Sequence, residues 1–341
     1  EAVVSPRAGF IGGRFYYNEN AGVHAAVWQA VLEAQPQDAD ELWSLGLQLC
    51  AFPHGAWPGV WDDCFHGLGH GAVLTAAYVA GAPLSPCAAG RTALSPTTVK
   101  AALALCGADM ALMGVAPVEA CVGGLYHEFF KLAADERMSP PFLRSPCWNH
   151  TRVTFAALCF VYQVRDWTGD RAANGVPASA PAYLEALHQA PAYLHQAGPK
   201  RSTATLQGAL FAYGGQFIET LAQCPGGTFG RPAADAPRIW LACAVGHFAA
   251  LSKRAEGSRR PRAEVREFCE GAMREHSPLA AADLELGVDL CTDAIQYGVE
   301  SSVVSIDQDE ALAYPMGLSS ETRFMNHPLV QGEGTGGTGE E

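Results

Sequence analysis

Eleven cysteines in 341 residues, with no Cys-x-x-Cys pair among them, constrain this chain more than any other feature. The absent pair removes the usual signatures of a zinc ribbon, a thioredoxin-like site or a haem attachment, which turns the reading toward disulfides. Disulfides in turn point to an oxidising compartment, so a secreted protein or one of the secretory-pathway or organelle lumen is expected. The Asn149-His150-Thr151 sequon agrees, with Asn149 as a glycosylation acceptor if the chain passes through that pathway. An odd count leaves at least one cysteine free or paired outside the chain.

The cysteines also follow the helical pattern. Ser95-Pro96 places an N-cap and a first-turn proline ahead of the apolar run Val99 to Cys106, and Pro117-Val118-Glu119 opens another helix in the same manner. Asp40-Glu41 and Asp62-Asp63 put acids where helix N-termini favour them. Further helices are expected from Val23 to Leu32, Thr151 to Tyr162, Ala204 to Leu221, Arg238 to Lys253, Glu264 to His276 and Ala281 to Val299. Apolar residues there recur three and four apart, and alternating strand patterns are almost absent. The expected class is all-α, built of disulfide-linked helical hairpin repeats as an α-solenoid or an α/α bundle.

Cys50, Cys106 and Cys224 each close a predicted helix, and Cys64, Cys121 and Cys243 follow 14, 15 and 19 positions later near the start of the next. Those two ends are neighbours in an αα-hairpin, so the pairs 50 with 64, 106 with 121 and 224 with 243 are expected. Cys147 and Cys159 would lie about 18 Å apart on one continuous helix, so they pair only if the helix begins after Cys147.

Composition bounds the rest. With 49% hydrophobic residues the chain can bury a large core. A formal net charge of −13, from 35 acidic against 22 basic residues, excludes a global positive field for nucleic acid. No uncharged apolar stretch reaches the length of a membrane span, and Glu1 to Phe10 lacks the pattern of a signal peptide. Expected partners are a small molecule or an extracellular protein. The Gly-, Ala- and Pro-rich stretch after Thr168 suggests two helical halves, residues 1–168 and 182–331, joined by a linker over 169–181, with a disordered tail over 332–341. The repeated Pro-Ala-Tyr-Leu at 181 and 191 and the basic segment Lys253 to Arg266 read as structural.

Three of the second cysteines open related segments. Cys64-Phe-His-Gly-Leu-Gly-His70 and Cys121-Val-Gly-Gly-Leu-Tyr-His127 share Cys-x-x-Gly-Leu-x-His, and Cys243-Ala-Val-Gly-His247 follows more loosely. Glycine costs helix propensity, so its use inside apolar helices implies a close helix approach. Such a crossing would set His70 and His127 on facing helices. His66 lies one turn before His70 on the same face. His66, His70 and His127 are therefore the candidate ligands of a transition metal, zinc, copper or iron. Glu128 is the candidate proton carrier if the site is that of a metal-dependent hydrolase or oxidase. The alternative is a non-enzymatic extracellular binding or structural module, in which the same histidines hydrogen-bond to brace the crossing. Asp307, Asp309 and Glu310 lack the spacing of a calcium loop and read as a solvated turn.

Cys64-Phe65-His66-Gly67-Leu68-Gly69-His70-Gly71, Cys121-x-x-Gly124, Cys147 and Cys159-Phe160-x-x-Gln163 together resemble a group of uncharacterised secreted bacterial proteins with Cys-x-His-Gly-x-Gly-His segments. The resemblance covers roughly residues 50 to 165. It implies an exported helical repeat protein and no particular activity.

Overall fold

The computed structural model describes residues 26–50, 58–81, 96–107, 115–132, 146–150, 152–173, 179–189, 199–254 and 260–297. Helices account for most of them, and no strand occurs among the described residues. In chain order they are α1 (26–34), α2 (Ala39–Leu49), α3 (Pro58–Val79), α4 (Pro96–Leu105), α5 (Val115–Leu132) and α6 (Val153–Ala173). They continue as α7 (Ala180–Gln189), α8 (Pro199–Phe217), α9 (Ala236–Arg254), α10 (Arg262–His276) and α11 (Ala281–Tyr297).

Local chemistry sets the helix ends. The Asp38 carboxylate accepts the Glu41 N–H at 2.9 Å, while the Glu41 carboxylate reaches back to the Gln37 N–H at 2.8 Å. This reciprocal exchange satisfies donors that a helix start leaves open. At the other end of α4, Gly107 adopts φ 68° and donates to the Ala104 carbonyl at 2.9 Å, stopping the helix just past Cys106. Asp62-Asp63 do not mark a helix start, because α3 already begins at Pro58. A first-turn proline and the apolar run behind it outweigh the acidic pair.

The long helices pack against one another in chain order: α3 on α5, α5 on α6, α6 on α8, α8 on α9, α9 on α11. Shorter elements flank them, α2 and α4 against α3, α7 against α8, α10 against α11. One continuous set of buried apolar residues runs from Val27 to Ile295. The segment 169–181 contains the end of α6 and the start of α7, with 174–178 outside the described residues.

Five disulfides tie these layers together: Cys50–Cys64, Cys106–Cys121, Cys147–Cys159, Cys224–Cys243 and Cys269–Cys291. Cys64, Cys121 and Cys159 each lie about two turns into their helix, and each joins the segment just before that helix. Cys147 sits in a short 3-10 helix, Pro146–Asn149, ahead of α6, so the break that pairing with Cys159 requires is present and the two Cα atoms are 5.4 Å apart. Cys269–Cys291 escapes a rule based on helix ends because both residues lie in the middle of their helices, α10 and α11. Cys87, the repeated Pro191 segment, the acidic turn at 307–310 and the tail over 332–341 lie outside the described residues.

Candidate metal centre

The site is built where α3 and α5 cross. A Cβ on Gly69 would lie 1.8 Å from the Cys121 carbonyl oxygen, and one on Gly124 would lie 1.8 Å from the His66 carbonyl oxygen. Each glycine thus faces the backbone of the other helix, which lets the two axes approach closer than side chains allow. Further contacts join the same turns, His66 beside Gly123 and Gly124, His70 beside His127 and Glu128. The histidine-bearing turns of the two motifs therefore stand side by side.

That arrangement brings the three imidazoles together. Their ring centroids are 5.0 Å apart for His66 and His70, 5.4 Å for His66 and His127, and 4.9 Å for His70 and His127. One ligand nitrogen from each ring falls within 4.8 Å of the other two. His66 Nε2 and His127 Nδ1 are 3.1 Å apart, so in the metal-free state one donates and the other accepts, according to tautomer. His66 and His70 are buried, and His127 is half-buried.

Glu128 meets His70 from the other helix. Its carboxylate accepts from His70 Nδ1–H at 2.8 Å, across the crossing. In a neutral His70 this fixes the proton on Nδ1 and turns the Nε2 lone pair inward, as carboxylates do behind metal-binding histidines.

A metal ion fits this donor set. Imidazole nitrogens about 2.0 Å from a tetrahedral ion stand about 3.3 Å from one another. The His66–His127 pair already has that separation, and the widest allowed gap of 4.8 Å needs to close by about 1.5 Å, within the reach of ring rotation. Three nitrogens with one carboxylate behind them suit zinc, copper or iron rather than calcium or magnesium, which prefer oxygen.

Two aromatic residues that local spacing does not single out join the surroundings. Tyr162, buried on α6, stacks on His127 with centroids 4.8 Å apart at 18° and meets His66 at 5.6 Å. Tyr126 forms a hydrogen bond with His150 Nε2, both buried. Burial holds the Tyr126 phenol well above the usual tyrosine range. Neither contact has a sequence signal, because its partners come from separate elements.

The other histidines are dispersed. His247 is buried with its ring against Phe248, His188 stacks on Phe229, and His276 lies 3.8 Å from Glu275. His24, His54, His195 and His327 lie outside the described residues. Asn149 is exposed at the end of its 3-10 helix.

A second crossing repeats the glycine geometry of the first. A Cβ on Gly214 would lie 1.9 Å from the Cys243 carbonyl oxygen, and one on Gly246 would lie 2.0 Å from the Phe211 carbonyl oxygen. The looser Cys243-Ala-Val-Gly-His247 segment thus occupies in α9 the register that Cys121-Val-Gly-Gly124 occupies in α5. By that register His66, His70, His127 and Glu128 correspond to Phe211, Gly215, Ala249 and Ala250, so this crossing carries no ligand set.

Fold and site define a mostly helical, disulfide-bonded protein with a histidine triad able to hold a metal ion. No family model, curated protein or solved structure matches the chain.

Proposed function

We propose that this is an exported helical repeat protein that binds a transition metal at the α3–α5 crossing, with His66, His70 and His127 as ligands and Glu128 orienting His70. The convergence of three imidazole nitrogens within 4.8 Å carries the reading. Glycines that cost helix stability are used where they bring these rings together. Three imidazoles leave the fourth position of a tetrahedral ion open, so the set suits a held ion and also leaves a place for the water of a metal-dependent hydrolase or oxidase. Five disulfides among the described residues support export, and the exposure of Asn149 supports its reading as a glycosylation acceptor. No described helix is long and apolar enough to cross a membrane. Repetition is supported by the two congruent glycine crossings and by the recurring bridge from each preceding segment into a long helix. An extracellular protein or a small molecule is the partner class that fits an exported module.

The 3.1 Å contact between His66 and His127 favours a second reading, in which the histidines brace the crossing without an ion. Metal analysis of protein purified without an affinity tag separates the two, with a His70→Ala, His127→Ala variant alongside. The metal reading expects about one equivalent of zinc, copper or iron per chain, lost in the variant while helicity is kept. An ion-free parent whose variant loses much of its stability would establish bracing instead.

A further inference from the structure

We propose that Tyr162 is a positioning residue of this centre: its ring, delivered by α6, fixes the plane of His127 and closes the third side of the site. The inference rests on the metal reading above, but its geometry stands independently. An imidazole turns freely about its outer torsion, so a ligand ring needs something beyond its rotamer to aim its nitrogen. For His70 that is the Glu128 carboxylate. For His127 it is a face: Tyr162 lies nearly parallel to the ring, 4.8 Å between centroids at 18°, while presenting a tilted edge to His66 at 5.6 Å and 50°. Stacking restrains rotation out of the shared plane and leaves the in-plane nitrogens available to an ion.

Residues of α5 and α6 meet directly beside this place. A Cβ on Gly123 would lie 3.4 Å from His66 Nδ1, 3.6 Å from Leu158 Cδ2 and 3.6 Å from Tyr162 Cε2. These are ordinary van der Waals separations, so position 123 borders His66 on one side and the α6 residues Leu158 and Tyr162 on the other. The Cys147–Cys159 bridge anchors α6 about one turn before Tyr162. Three helices, not two, thus build the centre, and among the described residues the third adds no ligand to the histidine cluster.

The test uses the full chain without an affinity tag, freed of metal and titrated with Co(II), whose visible absorption reports ligand geometry. Tyr162→Phe keeps the ring face and is expected to match the parent in affinity and spectrum. Tyr162→Leu is expected to bind Co(II) about tenfold more weakly with a shifted band, as loss of an orienting partner does, while far-UV dichroism and thiol content stay unchanged. If the leucine variant does not fold, Tyr162→Met, flexible but of similar bulk, takes its place. Equal affinity and spectrum for the parent and the non-aromatic variant would overturn the proposal. So would a phenylalanine variant as weak as leucine, since the hydroxyl rather than the ring would then be responsible. A parent that takes up no Co(II) would defeat the metal reading alone. In that event the ring nitrogen resonances of His127 in the metal-free protein still decide for Tyr162: displaced in the leucine variant and restored in phenylalanine, they uphold positioning, and unmoved in both they end it.

Discussion

Tyr126 and Tyr183 show how single buried side chains give this molecule a pH limit. Both phenols are fully buried, Tyr126 against His150 and Tyr183 donating to the Ala209 carbonyl at 2.8 Å, and burial raises both well above the ordinary tyrosine value. The folded state thus keeps protons that the unfolded chain releases near pH 10, so their contribution is complete below that pH and is lost progressively above it. By pH 11 the loss is on the order of 1 kcal/mol for each buried phenol. Urea unfolding at pH 8 and pH 11 is expected to show the decline, and a Tyr126→Phe, Tyr183→Phe variant is expected to show a clearly smaller one. An unchanged decline in the variant would assign the limit to other groups. Residues of this kind were hard to read from sequence. His66 and His70 were legible because one-turn spacing and a recurring motif mark them, and His127 because it holds the same place in the second copy. His150 and Tyr162 carry no such mark, since their roles come from elements that meet only in the folded chain.

The α3–α5 crossing depends on glycine against carbonyl, and substitution there tests the element directly. Gly69→Ala places a methyl group 1.8 Å from the Cys121 oxygen, where the obstacle is backbone and cannot turn aside. The helices must separate, at a cost of about 3 kcal/mol. Gly271 supplies the control: it lies in α10 with nothing within 4 Å of a built Cβ, so alanine there is expected to stabilise by about 1 kcal/mol through helix propensity. Equilibrium unfolding of the two variants should move in opposite directions, and a Gly69→Ala protein as stable as the parent would refute the close crossing. Sequence periodicity located the helices well, since each apolar stripe must face the core, but placed their ends less well. The start of α3 shows why: a proline-led turn begins before the acidic pair that suggested the boundary. The glycine pattern implied close approach. Only the fold shows that Gly69 meets Cys121, and that Gly214 and Gly246 reproduce the arrangement.

At the scale of the whole chain, each bridge closes a short span between neighbouring segments, with separations from 12 to 22 residues. A loop of that size removes unfolded-chain entropy equivalent to about 3 kcal/mol in the simplest model. Bridges this local leave the order of the long helices to packing, so their loss is expected to loosen the stack everywhere rather than at one joint. Cysteine spacing revealed the bridges at helix ends, whereas Cys269–Cys291 depends on two mid-helix positions brought together by the packing of α10 on α11. The five bridges among the described residues use ten of the eleven cysteines, and the other, Cys87, lies outside them. Thiol titration of unreduced protein in denaturant is therefore expected to count about one per chain, or none if Cys87 pairs with a second molecule. Complete reduction should then abolish the cooperative unfolding transition. Most cysteines titrating as free thiols would instead remove the argument for an oxidising compartment, and with it the stabilising frame that holds the histidine-bearing helices in register.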